Sequence, residues 1–361
     1  MAKIDALFKI MLNQGASDLH LSPCNKPKIR KSGVLMELPG DFPILTPELN
    51  RELLFGIMNE EEQEQYERTK DVDFAYPLDE MKARFRANVF MERKGIGGVF
   101  RQIPTEIMSA EQLGLSPLIL NFARLHKGLV LVTGATGSGK STTLAAMIDF
   151  INKQRKAHII TIEDPIEFVH QNQMCLVNQR EVGRDTDSFA ASLKSALRED
   201  PDVVLVGEMR DLETIELAIT AAEMGLLVFG TLHTSSAAKT VDRIINVFPA
   251  DAQPQVRASL GESLKGVVAQ QLLKTVDGKR VAAQEILVGT SAVCNLIREG
   301  KTFQIPSMMQ TGKKEGMQLM DMAIEDILKS GRISPEEAYL KATIKAPFEK
   351  FLTNKDFLSN P

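Results

Sequence analysis

Residues 134–141 read Gly134-Ala135-Thr136-Gly137-Ser138-Gly139-Lys140-Ser141, which completes the pattern G-x-x-x-x-G-K-S/T. Glycines in such a loop let successive backbone N–H groups converge on phosphate oxygens. Lys140 supplies a positive charge to the outer phosphates, and Ser141 offers a hydroxyl to Mg²⁺. The helix expected from Thr142 onward aims its positive end at the same anion. The pattern therefore predicts that residues 134–142 bind a nucleoside triphosphate, with ATP and Mg²⁺ as the expected ligands.

The sequence on either side of this loop separates a phosphate-binding loop from a chance glycine-rich turn. Residues 129–133 form an apolar, β-branched run that is typical of a buried strand. Strand, loop and helix in this order are the context that the pattern needs, so the flanking residues favour a nucleotide site. Behind the loop, apolar side chains recur at the spacing of one helix face, namely Leu144, Met147, Ile148 and Ile151.

Composition bounds the class of protein. With 361 residues the chain is longer than one ordinary core supports, so two domains are expected. The net charge of −4 gives no global basic field, which argues against nucleic acid as a partner. Cys24, Cys175 and Cys294 form no CxxC pair, as expected in a reducing compartment such as the cytosol. No uncharged apolar run reaches about eighteen residues, so a membrane span is not expected, and peripheral membrane association stays open.

The patterning changes along the chain and predicts two domains. Residues 1–103 are mostly strand-like with two polar helical stretches, which indicates a small α+β domain. Residues 104–117 hold two prolines and a glycine, which suits a linker. Residues 118–361 alternate apolar strands with helices, typical of a parallel α/β sheet, and become mainly helical after Lys279. The predicted strands are residues 18–21, 34–38, 72–76, 83–91, 98–103, 129–133, 158–162, 203–206 and 226–232.

Three polar residues follow predicted strands of the second domain: Glu163, Glu208 and His233. Because the carboxyl ends of parallel strands form the ligand crevice, we expect all three to face the phosphates. Glu163 is the candidate that orients or deprotonates the attacking water, and the alternative is a solvated acid at a strand end. Glu208 is the candidate that holds Mg²⁺ through water or polarises the nucleophile.

Two further predictions concern residues near these strand ends. His233 is expected to hydrogen-bond the outer phosphate, and the alternative is a structural histidine. Asp211 comes directly before an apolar helical run and is predicted to cap that helix. The other histidines are scattered without ligand spacing, so no metal site other than that of Mg²⁺ is predicted.

Arginines in the first domain are candidates for a second source of positive charge. Phosphoryl transfer spreads negative charge over the equatorial oxygens, and an added arginine accelerates it by about 10³–10⁵. Period-two spacing in a strand puts Arg84 and Arg86 on one side and Phe85 on the other. Arg101 follows on a later predicted strand. The alternative is a solvated basic face.

Five motifs together resemble the type II/type IV secretion and pilus ATPases over nearly the whole chain. The similarity is greatest to the pilus-retraction branch of that family. It implies a PAS-like N-terminal domain, a RecA-like P-loop motor domain and a homohexamer in which Arg84, Arg86 and Arg101 point at nucleotide. The motifs are the ASDLH element, the Walker A loop, the Asp box, the Walker B signature and the His box, at residues 16–20, 134–141, 162–168, 197–211 and 230–247.

The resemblance also implies what such a motor acts on. Subunits that open and close on ATP would turn an inner-membrane platform protein of the PilC type at the cytoplasmic base of the pilus. Pilin subunits would then leave the fibre, and the pilus would shorten in twitching motility. The pilus assembly ATPase and an accessory retraction ATPase are implied as indirect partners.

Two departures from the family pattern bear on the direction of the motor. Assembly and secretion members carry a four-cysteine zinc motif and a further N-terminal domain, and neither is expected here, which favours retraction. Residues 292–299 resemble the retraction-specific AIRNL element but have Val293 and Cys294 where that pattern has Ile and Arg. An accessory ATPase of the PilU type is therefore an alternative. A RecA-like nucleic-acid motor and a nucleotide-gated scaffold are more distant ones.

Overall fold

A computed structural model describes residues 2–31, 33–103 and 106–352. The chain divides into two units, one comprising Met1–Glu106 with Pro165–Val169 and the other Ile107–Asp164 with His170–Pro361. The chain therefore leaves the second unit for one short segment and then returns to it. Of the predicted linker, residues 104 and 105 lie outside the described part, and the remainder contains the helix Ala110–Leu113.

The first unit is the small α+β domain that the patterning predicts. Its six strands form one sheet in the order β3-β2-β1-β6-β5-β4, with antiparallel neighbours throughout the described residues. Strand β2 was not predicted, because charged residues occupy three of its four positions in Lys28–Lys31. The elements are α1 (Asp5–Asn13), β1 (Asp18–Leu21), β2 (Lys28–Lys31), β3 (Val34–Glu37), α2 (Pro47–Phe55), α3 (Glu60–Thr69), β4 (Asp71–Leu78), β5 (Ala83–Glu92) and β6 (Gly95–Ile103).

Aromatic packing joins α1 to the sheet of the first unit. The Phe8 ring stacks on the Phe85 ring at a centroid distance of 4.2 Å and meets the Phe100 ring edge-on at 5.1 Å. Such pairs add about 0.5–1.5 kcal/mol to the gain from burying the rings. Because Phe85 points into this core, its neighbours Arg84 and Arg86 point to the other face of β5, as the period-two spacing predicts.

The second unit is built on one seven-stranded sheet in the order β13-β12-β7-β11-β10-β8-β9. All neighbours from β12 to β9 are parallel, and β13 is antiparallel to β12. The predicted parallel α/β sheet is confirmed. The elements are α4 (Ala110–Leu113), α5 (Pro117–Ala123), β7 (Gly128–Thr133), α6 (Lys140–Gln154), β8 (His158–Glu163), β9 (Leu176–Glu181), α7 (Phe189–Ala196), β10 (Val203–Val206), α8 (Leu212–Glu223), β11 (Leu227–Leu232), α9 (Ala237–Asn246), α10 (Gln253–Ser263), β12 (Leu264–Lys274), β13 (Arg280–Val288), α11 (Ser291–Arg298), α12 (Ile305–Thr311), α13 (Met320–Lys329), α14 (Pro335–Lys341) and α15 (Ala346–Glu349).

Strand β7 lies within the sheet and is buried along its whole length. Leu129 and Leu131 point into one apolar core, and Val130 and Val132 into another on the opposite face. Burying each of these side chains contributes about 1.5–3 kcal/mol. The end of β7 at Thr133 is thereby fixed by packing on both faces and by hydrogen bonds on both edges.

The expectation of a mainly helical region after Lys279 is wrong for β13, and β9 and β12 were not predicted either. In β12, Gly266 and the pair Gln270 and Gln271 interrupt the apolar run that marks a strand. The glycine is required, because a Cβ on Gly266 would lie 2.3 Å from Cζ of Phe122. Strand β13 is rich in alanine, glutamine and glutamate, which have little preference for strands.

A buried carboxylate on β13 connects the sheet to two helices. Glu285 Oε1 accepts a hydrogen bond from the Ala237 backbone N–H at 2.7 Å, and Oε2 accepts one from the Met320 N–H at 3.2 Å. These are the first residues of α9 and α13, where the helix dipole favours a negative charge. Burial raises the pKa of Glu285, and the two backbone hydrogen bonds oppose that rise.

We expect Glu285→Ala to destabilise the fold. Each of the two backbone N–H groups that loses its buried acceptor costs about 1–3 kcal/mol, so the free energy of unfolding should fall by about 2–6 kcal/mol. Glu285→Gln keeps one acceptor oxygen in the same volume and should lose about half as much. Urea denaturation followed by circular dichroism measures both variants. Equal stability of Glu285→Ala and the wild type would contradict this account of the contact.

Candidate nucleotide site

The loop between β7 and α6 has the backbone that its sequence requires. Gly134, Gly137 and Gly139 have φ values of 145°, 77° and 89°, which side chains with a Cβ rarely adopt. Gly139 is the residue before α6, so the N-terminus of that helix opens onto the loop. Free N–H groups at a helix N-terminus and an adjacent glycine turn form an anion site. A phosphate held by residues 134–142, as the sequence predicts, would meet these N–H groups.

Two side chains of the loop show polar groups that a phosphate would satisfy. Lys140 Nζ donates to the carbonyl oxygens of Gly134 and Ala135, at 2.9 and 3.2 Å, so the charge lies over the loop. Ser138 is buried, and its Oγ has no hydrogen-bond partner among the described residues. A buried hydroxyl without a partner is unusual in a folded protein. A phosphate oxygen would give it an acceptor.

The sheet brings the three predicted strand-end residues to one edge. Strands β7, β11, β10 and β8 are consecutive neighbours, with Val206 paired to both Gly230 and Ile162. His233 follows β11, Glu208 follows β10 by one intervening residue, and Glu163 ends β8. All three therefore lie at the same edge of the sheet as the loop after β7.

Glu208 lies between two partners. Its Oε1 is 3.1 Å from His233 Nε2 and 2.5 Å from Arg210 Nε. Only 18% of the Glu208 side chain is exposed, against 72% for Arg210, so the carboxylate is the buried member of the group. The hydrogen bond to Glu208 raises the pKa of Arg210. His233 thus contacts one of the two acids that the sequence places at the same edge of the sheet, whereas Arg210 was not predicted.

The backbone around Glu208 is held by the adjacent strand. The Thr231 hydroxyl donates to the Gly207 carbonyl at 2.5 Å, and the Met209 N–H donates to the Thr231 carbonyl at 3.0 Å. A Cβ on Gly230 would lie 2.2 Å from Met209 Sδ, so β11 needs a residue without a side chain at this position. Further along, Asp211 Oδ1 accepts from the Thr214 N–H at 2.9 Å, which confirms the predicted cap of α8.

Glu163 makes a separate set of contacts. Its Oε1 accepts hydrogen bonds from the Thr161 hydroxyl at 2.7 Å and from Gln179 Nε2 at 3.2 Å. Gln179 Oε1 in turn accepts from the backbone N–H of His170 at 2.7 Å. His170 is where the chain re-enters the second unit, and burial lowers its pKa to about 4. Gln179 was not predicted, because β9 was missed.

Comparison of the sequence with known proteins assigns the chain to one family. Residues 2–326 match the model of the family described as type II/IV secretion system protein. The chain belongs to this family. It is 51% identical to the type IV pilus retraction ATPase PilT of Pseudomonas aeruginosa over 96% of this chain and 99% of that protein. To the type IV pilus ATPase PilU of the same organism it is 41% identical, over 94% and 88%.

A solved structure extends the similarity to the fold. The crystal structure of the pilus retraction motor PilT with bound ADP matches with a TM-score of 0.90 at 42% identity, over 97% of this chain and 99% of that one. The chain is accordingly a PilT-type ATPase. Its second unit is the RecA-like ATPase domain, and its first is the smaller PAS-like N-terminal domain.

The three candidate arginines of this ATPase lie in the first unit, whereas the loop lies in the second. Arg86 and Arg101 are directly paired across β5 and β6, on the face that Arg84 shares. Arg101 Nε lies 2.8 Å from Asp18 Oδ1, and Arg86 Nε lies 3.8 Å from Asp73 Oδ1. Ion pairs of exposed arginines contribute about 0–1 kcal/mol, so neither pairing prevents a contact with an anion.

A magnesium ion fits the residues that the site offers. In the described ranges no three or more histidine, cysteine, aspartate or glutamate side chains form a metal-holding group. Mg²⁺ keeps several of its waters and binds one or two protein oxygens together with substrate phosphates. The Ser141 hydroxyl at the start of α6 and the Glu208 carboxylate would supply those oxygens. When bound, the ion would neutralise charge on the phosphates.

One polar residue in contact with the loop has no place in the five motifs. Gln270, on β12, donates from Nε2 to the Ser138 carbonyl at 2.7 Å and accepts at Oε1 from the Thr143 hydroxyl at 2.9 Å. The signal in the sequence is a pair of glutamines, Gln270 and Gln271, within a mostly apolar run. Such a residue is either exposed or held by partners, and here it is buried and held.

The Asp18–Arg101 pair of the ASDLH element predicts a pH effect. Burial alone would raise the pKa of Asp18, but hydrogen bonds from the Ser17 hydroxyl and the Arg101 guanidinium outweigh it and lower the pKa. A carboxyl with a lowered pKa stabilises the fold above its unfolded pKa, and this contribution is lost as the pH falls through the folded pKa. We expect Asp18→Asn to lower the free energy of unfolding by about 1 kcal/mol at pH 7, and by progressively less as the pH falls toward the lowered pKa of folded Asp18.

Urea denaturation between pH 7 and pH 3 measures this difference. Asp41→Asn, at an exposed position of the same unit, is the matched control and should follow the wild type at every pH. A constant difference between Asp18→Asn and the wild type across this range would show that the charge of Asp18 is not the cause.

Proposed function

We propose that this chain is a hexameric, Mg-ATP-hydrolysing motor that powers retraction of type IV pili. The observation that supports it most is the Glu208–His233 contact of 3.1 Å at the end of β10 and β11, beside the strand that carries the nucleotide loop. Family membership and the similarity to PilT support pilus retraction as the work that this motor performs.

Each polar group has a proposed role in hydrolysis. Residues 134–142 hold the phosphates, and Ser141 and Glu208 hold Mg²⁺, in the case of Glu208 through water. Glu163 orients or deprotonates the attacking water. It is suited to this because hydrogen bonds from the Thr161 hydroxyl and the Gln179 amide to Oε1 fix the orientation of its carboxylate at the end of β8.

His233 is proposed to report the presence of the outer phosphate. Its Nε2 bonds a carboxylate that Arg210 also bonds, so the imidazole can exchange that contact for a phosphate oxygen without leaving Glu208 unpaired. Arg84, Arg86 and Arg101 are proposed to supply positive charge to the nucleotide during transfer. Positive charge at that stage lowers the barrier because the equatorial oxygens become more negative.

The retraction motor is favoured over the PilU-type accessory ATPase. Identity to PilT is 51% over nearly full length, against 41% to PilU. Of the two departures from the AIRNL pattern, Val293 is fully buried within the core of the second unit. Valine in place of isoleucine at a buried position typically costs about 0.5–1.5 kcal/mol, so the helix packing is retained.

Partners and place in the cell follow from the same proposal. The motor would act as a homohexamer at the cytoplasmic face of the inner membrane and grip a platform protein of the PilC type. The described helices are all too short or too polar to cross a lipid bilayer. Attachment to the membrane would therefore pass through the platform protein.

Substitutions at the site should separate nucleotide binding from hydrolysis. Lys140→Ala removes the charge at the phosphates and should abolish both. Glu163→Gln and Glu208→Gln keep the cradle, so they should bind ATP and lose about 10²–10⁴ in kcat, the usual contribution of an acid or base. ATPase assays and titration with a fluorescent ATP analogue measure these effects, and the same variants should abolish twitching motility in cells.

Two exposed residues of the same unit give matched controls, Glu216→Gln on α8 and Lys194→Ala on α7. Both should behave as the wild type. Turnover that is unchanged in all three site variants would reject the assignment of these residues to the site.

Arg86→Ala tests the proposed contribution of the first unit. Loss of a cation that acts on the transferring phosphoryl group should lower kcat by about tenfold or more and change the ATP affinity little. Arg68→Ala, at an exposed position on α3, is the control of the same type. Equal kcat values for the two arginine variants would assign Arg86 to a solvated basic face.

A further inference from the structure

A buried amide lies directly against the nucleotide loop. Gln270 is 4% exposed, and three of its possible hydrogen bonds are made to protein groups. Nε2 donates to the Ser138 carbonyl at 2.7 Å. Oε1 accepts from the Thr143 hydroxyl at 2.9 Å and from Gln284 Nε2 at 3.0 Å. One side chain thus joins the loop, the first turn of α6 and the neighbouring strand β13.

Two glycines of the loop lie too close to Gln270 to carry a side chain. Ala269 pairs with Thr133, so Gln270 lies beside the position where β7 ends and the loop begins. A Cβ on Gly134 would lie 2.2 Å from the Gln270 carbonyl oxygen, and a Cβ on Gly139 would lie 2.7 Å from Nε2. Two glycines of the loop are therefore required by the closeness of Gln270 as well as by their φ values.

The hydrogen bond to Ser138 determines where the next N–H points. In a trans peptide the C=O and the following N–H lie in one plane and point in opposite directions. Because Gln270 holds the Ser138 carbonyl, the Gly139 N–H must point away from Gln270. N–H groups of such a loop bind phosphate oxygens when they converge on one side of it. The amide of Gln270 therefore sets the direction of one of these donors.

The two ends of the amide are not interchangeable. The Ser138 carbonyl can only accept, so the NH₂ group must face it. The oxygen then faces the Thr143 hydroxyl and the NH₂ group of Gln284, which both donate. Gln284 is the cross-strand partner of Gln270 on β13, so its position is set by the sheet.

We propose that Gln270 is a positioning residue that holds the Ser138–Gly139 peptide in its phosphate-binding orientation. It acts through the loop and does not touch nucleotide. This inference rests on the proposed nucleotide site at residues 134–142. Loss of the donor would let the peptide rotate, and ordering it again would weaken the binding of both ATP and ADP. Interactions that are equal in the ground state and the transition state change KM and leave kcat unaltered.

The test uses two substitutions of similar volume in the full-length protein. Gln270→Glu keeps the acceptors for Thr143 and Gln284 but replaces the donor to Ser138 with an oxygen, and it adds a negative charge near the phosphates. Gln270→Met removes every polar atom without adding charge, so its result decides whether the lost donor is the cause. Gln271→Met is the matched control, since the neighbouring glutamine is only partly buried and donates to the Lys341 carbonyl at 3.2 Å instead. Dissociation constants for fluorescent ADP and ATP analogues with Mg²⁺ are measured beside kcat and KM.

Both Gln270 variants should raise the dissociation constants for ADP and ATP by about tenfold, equivalent to about 1.4 kcal/mol. Their kcat should stay within about threefold of the wild type, and Gln271→Met should be unchanged in every quantity. Thermal unfolding without nucleotide shows whether each Gln270 variant is folded. If one variant does not fold, the dissociation constants of the other test the inference.

Two results would overturn the inference: dissociation constants within about twofold of the wild type in a folded variant, or a loss of kcat at unchanged affinity. A different result would reject the proposed function instead. If the wild type failed to bind nucleotide, or if Lys140→Ala bound it equally well, the site itself would be absent.

Discussion

The burial of β7 within a parallel sheet is the constraint on which the site depends. Its side chains alternate into two apolar cores, and β11 and β12 bond its two edges. The point at which the chain turns into the loop is therefore fixed before any ligand binds. A phosphate-binding loop needs a fixed starting point of this kind, because its N–H groups bind phosphate well only if their directions are already set.

The same sheet explains why the acidic and imidazole side chains lie together. Strand order places β11, β10 and β8 successively beside β7, so residues that are distant in sequence end at one edge. Glu208 is held there between His233 and Arg210. A carboxylate with little exposure needs such partners, because an unpaired charge out of water is costly. The position of Glu208 is thus a consequence of topology, and its contacts are a consequence of burial.

Much of this arrangement could be predicted from the sequence, and the failures have physical causes. The strands rich in β-branched apolar residues and the glycine loop could be predicted, because the spacing of apolar residues and the conformational preferences of the residue types agree in these segments. Strands β9, β12 and β13 were not, since their polar residues are satisfied by partners elsewhere in the chain. The assignment of Pro165–Val169 to the first unit was equally hidden, although Ile166 and Phe168 are buried.

The residues that sequence reasoning missed at the site are mostly amides, and the chemistry of phosphate binding gives a reason. Gln179 joins Glu163 to the backbone of His170, and Gln270 joins the loop to α6 and β13. An amide both donates and accepts, so it can bridge a carbonyl and a hydroxyl. A buried carboxylate beside a triphosphate would repel it, and a lysine would compete with Lys140 for the phosphates. Neutral amides position these groups without altering the charge of the site. They carry no motif because the need for them arises only from the fold.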